Sequence, residues 1–166
     1  MKRVRRLAAL ALALAASLSL AGCGFQPLYG DLGVSQNLAA IEVVAPEGRS
    51  GHLIRESLDD AFAVRPGAPP AYRMDLTLGE TRIPRGLRVD NVATRYEMTL
   101  TANYKLTELS TGAVVKEGAA ASTVTYDSAD QPYASIAAQQ DSQERAAAET
   151  ARRIQLELAA WFAQRR

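Results

Sequence analysis

Two groups of residues in this sequence carry chemistry by type and spacing: a single cysteine and a run of arginines. Cys23 closes the tetrapeptide Leu20-Ala21-Gly22-Cys23, after four bases in the first six residues (Lys2, Arg3, Arg5, Arg6) and an almost unbroken Ala/Leu segment from Leu7 to Ala21. A basic start, an apolar segment and a small residue before cysteine form an export signal with the cleavage and acylation pattern of a bacterial lipoprotein. The apolar segment, about 15 residues, falls short of the roughly 20 needed to span a bilayer. Residues 1–22 are therefore expected to be removed. The Cys23 sulfur is expected to enter a thioether with diacylglycerol, and the new amino terminus to take an N-acyl chain such as palmitate. One chain holds weakly and two or three hold firmly, because each buried methylene contributes about 0.8 kcal/mol. Acylation also removes the only thiol, which could form no internal disulfide in an oxidising envelope. Gly24, in place of the Asp that retains such proteins at the inner membrane, predicts an outer-membrane address.

The second group is Arg82, Arg85, Arg88 and Arg95, which stand against one acid, Asp90, in the same stretch. Guanidinium groups grip phosphate or carboxylate bidentately. Arg73 and Lys105 would extend the patch if strand pairing brought them near. The same spacing also fits a solvated hairpin tip whose charges discourage edge-to-edge association. Elsewhere the chemistry is sparse. His52 is the only histidine, and with one histidine and an acylated cysteine no metal set is expected. Asp59 and Asp60 are adjacent, so a helix points them about 100° apart, unsuited to shared acid and base work. Neither a glycine-rich phosphate loop nor a Gly-x-Ser-x-Gly elbow occurs. No enzyme activity and no cofactor beyond the acyl groups are expected.

The elements that must position these groups follow from periodicity. The chain from Cys23 has 144 residues (166 minus 22), with 15 basic against 18 acidic ones, a net charge of −3. That length suits one domain with its own core, and the charge balance gives no reason to expect nucleic acid. Residues 23–37, with Gly24, Pro27, Gly30 and Gly33, read as an extended tether, and 38–166 as a single domain. Leu38 to Ala45 favours a strand. Leu53, Ile54, Ser57, Leu58, Ala61 and Phe62 recur at helical spacing, with Ser50 as a candidate cap and Pro66-Gly67 as the stop. From Tyr72 the period changes to two, is broken by the Ile83–Arg88 stretch, and resumes from Val92 to Leu106. A third run covers Val114 to Tyr126, where Gly118 and the small residues after it suggest a bulge or close cover by a helix. Pro132 fits the first turn of a helix reaching Arg166, with a core stripe at Tyr133, Ala137, Ala147, Ala151, Ile154, Leu158 and Trp161. Unbroken, it would run roughly 50 Å, so a break near Gln140-Asp141-Ser142 or an overhang is expected. The order β-α-β-β-β-α predicts an α+β two-layer sandwich, a mixed four-stranded sheet with two helices on one face.

Cys23-Gly24-Phe25-Gln26-Pro27-Leu28-Tyr29-Gly30 resembles the mature start of the lipopolysaccharide-assembly lipoproteins of the LptE family, in their alphaproteobacterial form. The resemblance implies a non-enzymatic outer-membrane lipoprotein in complex with the β-barrel translocon LptD, acting as its plug and assembly factor and able to bind lipopolysaccharide. It makes Arg82, Arg85, Arg88 and Arg95 a candidate contact with barrel carboxylates or with lipid A phosphates. The alternatives are a lipid-binding or lipoprotein-handling module without a barrel, which needs a deep apolar cavity, and an envelope hydrolase, which needs converging carboxylates.

Overall fold

The structure is a computed structural model that describes residues 32–87, 93–128 and 131–165. The elements in order are α1 (Leu32–Ala39), β1 (Ile41–Val44), α2 (Arg49–Phe62), β2 (Tyr72–Leu87), β3 (Ala93–Glu108), β4 (Val114–Asp127) and α3 (Pro132–Gln164). The sheet order is β1-β2-β3-β4, with β1 parallel to β2 and the other pairs antiparallel. It is the expected mixed four-stranded α+β fold, with helices packed on one face of the sheet.

Alternation decides which face is covered, because successive side chains of a strand point to opposite sides. Met74 and Leu76 of β2, Met98, Leu100, Tyr104 and Leu106 of β3, and Ala120 and Tyr126 of β4 are buried beneath Ile54, Leu58 and Phe62 of α2 and Ala147, Ile154 and Leu158 of α3. The small residues of β4 admit α3 closely. Ser122 Oγ donates to the Ala146 carbonyl at 2.8 Å and lies 2.8 Å from Thr150 Oγ1, so these two buried hydroxyls are satisfied. Gly118 faces Tyr104 so closely that a Cβ would overlap its phenol. Of the bulge and the close helix cover expected here, the cover is found, and the strand's bulge lies at Val115, which is left over where the register passes from Leu106↔Lys116 to Thr107↔Val114.

Three local expectations change, and a fourth is decided between its alternatives. Residues 32–37, read as extended tether, are helical. Val34 and Leu38, four apart, bury on one face of α1, and that burial outweighs the helix-weakening Gly33. Strand β2 runs on through Ile83-Pro84 to Leu87. Beyond Asp75 its one neighbour among the described residues is β3, and an edge is where a sheet tolerates proline. Helix α2 opens at Gly48, whose φ of 107° suits glycine, and the Ser50 hydroxyl reaches Glu80 at 2.6 Å in place of a cap bond. Helix α3 is continuous. Of the break and the overhang expected as alternatives, the overhang is found: Ser142 is buried with its hydroxyl on the Gln139 carbonyl and near Met98 Sδ. The excess length is an overhang at its start, where Tyr133, assigned to the core stripe, is 88 % exposed.

Candidate functional site

The arginines are placed by the β2–β3 hairpin. Arg85 and Arg95 are direct cross-strand partners, and Arg95 also faces Asp127 of β4. All three side chains stand on the face without helices. Two like charges directly opposite destabilise a sheet, and the structure offsets this with a carboxylate for each. Arg85 Nη2 lies 3.1 Å from Glu97 Oε1 and Arg95 Nε lies 2.7 Å from Asp127 Oδ1. The hydrogen bond from Arg95, reinforced by its charge, holds the Asp127 carboxyl below the usual carboxylate range, and the same contact raises Arg95.

Arg82 goes elsewhere. It is three residues from Arg85 in one strand, so it points to the helix-bearing face, where Nη1 donates to Gln139 Oε1 of α3 at 2.9 Å. Its guanidinium lies 4.9 Å from the centre of the Tyr96 ring, which stacks on Tyr126 at 5.5 Å. Arg88 and Cys23 lie outside the described residues. Arg73 and Lys105 do not extend the patch. Lys105 pairs with Asp75, ten residues along each strand from the Arg85↔Arg95 pair, or roughly 33 Å at 3.3 Å per residue. They are also engaged there, Arg73 with Asp75 at 3.0 Å and Lys105 with Glu117 at 3.3 Å.

Between these two charged ends the open face forms an uncharged platform of short side chains. Thr77, Asn103 and Ala119 make one row, Gly79, Thr101 and Ala121 the next, and Thr81, Thr99 and Thr123 a third. Thr99 and Thr123 share a hydrogen bond of 2.9 Å. Individual threonines in the alternating runs were visible in the sequence. Their alignment into rows required the register, as did the assignment of Glu97 and Asp127 to the arginines. The sequence signal for the latter was that Glu97 lies two residues from Arg95 in one strand and that Asp127 alternates with the apolar Tyr126 in its own.

The remaining candidates are structural. His52 is exposed and 3.7 Å from Glu56. Burial pushes the Asp59 carboxyl up, Arg55 opposes this and Asp60 adds to it. No group of three or more metal-ligating side chains occurs among the described residues. One depression on the open face lies over Asp75, Asn103 and Glu117. A face with paired charges at each end and uncharged side chains between them presents hydrogen-bonding groups to a large polar surface or to anions.

Comparison with known proteins places this geometry. A crystal structure of a Caulobacter crescentus lipoprotein is 55% identical, covers 81% of this chain and 98% of its own, and superposes with a TM-score of 0.71. Rare lipoprotein B of Shewanella oneidensis (13% identity, 75% and 95% covered, TM-score 0.56) and a lipoprotein B of Nitrosomonas europaea (12%, 74% and 83%, TM-score 0.55) share the fold. No curated protein matches. The family described as LptE, lipopolysaccharide-assembly, matches residues 38–158, nearly all of the sheet and its helices, and the chain belongs to this LptE family.

Proposed function

We propose that this chain is an outer-membrane lipoprotein, anchored through acylated Cys23, that acts as plug and assembly factor for the β-barrel lipopolysaccharide translocon LptD. The observation that carries the reading is the family match across residues 38–158. The open sheet face supports it, because the interior of a water-filled barrel is polar and this face offers threonine hydroxyls and ion pairs already neutralised within the chain. The role requires binding and shape, with no catalytic step and no cofactor beyond the acyl groups.

In this reading Arg85 and Arg95 are the primary anion contact, with Arg88 beside them in sequence and Arg82 on the other side of the hairpin. A lipid A phosphate or a barrel carboxylate would compete with Glu97 and Asp127 for the same guanidinium donors. Charge-assisted, bidentate geometry lets a phosphate win where it brings more acceptor oxygens than one carboxylate. A lipid-binding module without a barrel partner would instead use a deep apolar cavity, for which the packed interface between helices and sheet offers no argument.

The test is a mild-detergent pull-down of the tagged lipoprotein from outer membranes, with mass identification of what remains bound. One large barrel at about equal stoichiometry is the expected result, and recovery of the lipoprotein alone would remove the barrel reading. Arg85→Glu/Arg95→Glu then separates the two roles. Loss of lipopolysaccharide binding with the barrel retained assigns the pair to the lipid, and loss of the barrel assigns it to the complex. No change in either would remove these arginines from the site.

A further inference from the structure

We propose that the pole of the domain formed by the β3–β4 turn, the loop before β2 and the end of α3 rests on the phospholipid surface of the membrane to which the chain is tethered. The inference depends on the Cys23 tether of the reading above but not on the barrel partner.

Contacts fix the three segments at one end of the fold. The Leu109 N–H donates to the Ala71 carbonyl at 2.9 Å, Tyr72 pairs with Glu108, and Phe162 meets Tyr72 edge-on with ring centres 5.4 Å apart. Trp161 lies against Phe162 at 4.7 Å. Both poles expose apolar side chains, Ile83, Tyr133 and Ile136 at the far one, and the path of the tether decides between them. Leu109 is 45 % and Val114 49 % exposed, and the exposed loop Pro66-Gly67-Ala68-Pro69-Pro70 carries no charge.

Two arginines at this pole stand without a carboxylate partner among the described residues. Arg165 places its guanidinium 4.6 Å from the Trp161 ring centre, and Arg65 opens the loop. Among the described residues neither has a carboxylate within ion-pair distance, unlike Arg85 and Arg95 at the opposite pole. Glu108, the acid at the turn, accepts from the Thr111 hydroxyl at 2.9 Å. Exposed aliphatics, an amphipathic indole and unpaired guanidinium groups suit the headgroup layer of an anionic bilayer. No described helix is long and apolar enough to cross a membrane, so the contact is peripheral.

The chain path agrees. The Ala40 carbonyl accepts from the N–H groups of Ala71 and Tyr72 at 2.9 and 3.1 Å, so the polypeptide enters the sheet at this pole. Helix α1 adds about 12 Å at 1.5 Å per residue, and the nine residues from Cys23 to Leu32 reach at most about 30 Å. An acylated Cys23 therefore keeps this pole within roughly 40 Å of the lipid, where a weak surface contact becomes effectively intramolecular.

Trp161 is the only tryptophan in the sequence, so its fluorescence reports this pole alone. The experiment places the full-length lipoprotein in vesicles of phosphatidylcholine and phosphatidylglycerol carrying lipids brominated near the headgroup. Mass spectrometry records the acyl chains on Cys23. Strong quenching of Trp161 is expected, falling several-fold in Leu109→Asp/Val114→Asp with acylation and circular dichroism unchanged. Unquenched Trp161 in the acylated protein overturns the proposal and leaves the tether standing, as does equal quenching in the double variant. Protection from both bromolipid and soluble acrylamide also overturns it, by marking a protein contact at the pole. An unacylated Cys23 removes the tether, and the pole is then judged by Trp161 quenching with vesicles added to the unacylated chain.

Discussion

The two faces of the sheet are built from the same strands and have almost nothing else in common. On one, Met74, Met98, Leu100 and Leu106 disappear beneath α2 and α3. On the other no described residue is buried, and the rows run from Asp75, Lys105 and Glu117 through the threonine platform to Arg85, Arg95 and Asp127. Because strand side chains alternate, every second residue serves the core and every other one faces outward. Stability thus lies on one parity of the strands, and recognition is free to lie on the other. Substitutions that respect the difference should separate folding from binding, and those that cross it should not.

The largest effect belongs to the covered side. Leu58 is fully buried between α2 and the sheet, and Leu58→Ala should cost about 2–5 kcal/mol through lost transfer energy and the cavity left behind. Urea denaturation followed by circular dichroism measures it, and a loss below 1 kcal/mol would mean that this seam is not the main core. Gly118→Val comes next, at about 1–3 kcal/mol, since the new side chain must displace the buried Tyr104 ring. Ser122→Ala should follow at about 1 kcal/mol, because Thr150 loses its buried partner.

How far the sequence discloses these faces depends on the range of the interaction. Periodicity is local, so the alternating strands, the amphipathic α2 and the order of elements could be read directly. Parity was lost where Ile83-Pro84 was read as a break. That error placed Arg82 with Arg85, although three residues along an unbroken strand send them to opposite faces. Glu97 and Asp127 come from other strands, and their pairing with the arginines follows only from register. Helix α1 was hidden by Gly30 and Gly33, whereas the spacing of Val34 and Leu38 carried the signal. The exposed Tyr133 shows the converse, since an apolar residue in phase with a core stripe still overhangs if the helix outruns its sheet.

A titration tests the covered side without removing an atom from its packing. Burial is the main cause that raises the Tyr104 phenol, with the nearby Glu157 carboxylate adding to it. A phenol raised above its unfolded value binds more protons in the native state, so its contribution is present below about pH 10 and is lost as pH rises beyond that. The midpoint of urea unfolding should therefore fall above pH 10 more steeply in the native sequence than in Tyr104→Phe. Identical slopes would show that the phenol is not held neutral by its site.

The smallest effect is expected on the open face, where a near-zero result is the informative one. Thr99 and Thr123 are the closest pair in the threonine platform, and Thr99→Val/Thr123→Val keeps both branched shapes while removing the hydroxyls. A solvated hydrogen bond is exchanged for bonds to water at little net gain, and β-branching continues to suit the pleat. Stability should change by less than about 0.5 kcal/mol, as for substitutions away from buried features. A partner that lies flat on this face would nonetheless lose hydrogen bonds it cannot replace, so barrel recovery in the pull-down should drop while the urea midpoint stays put. If the urea midpoint moves and barrel recovery does not, the division of labour between the two faces is wrong, and the platform belongs to the fold.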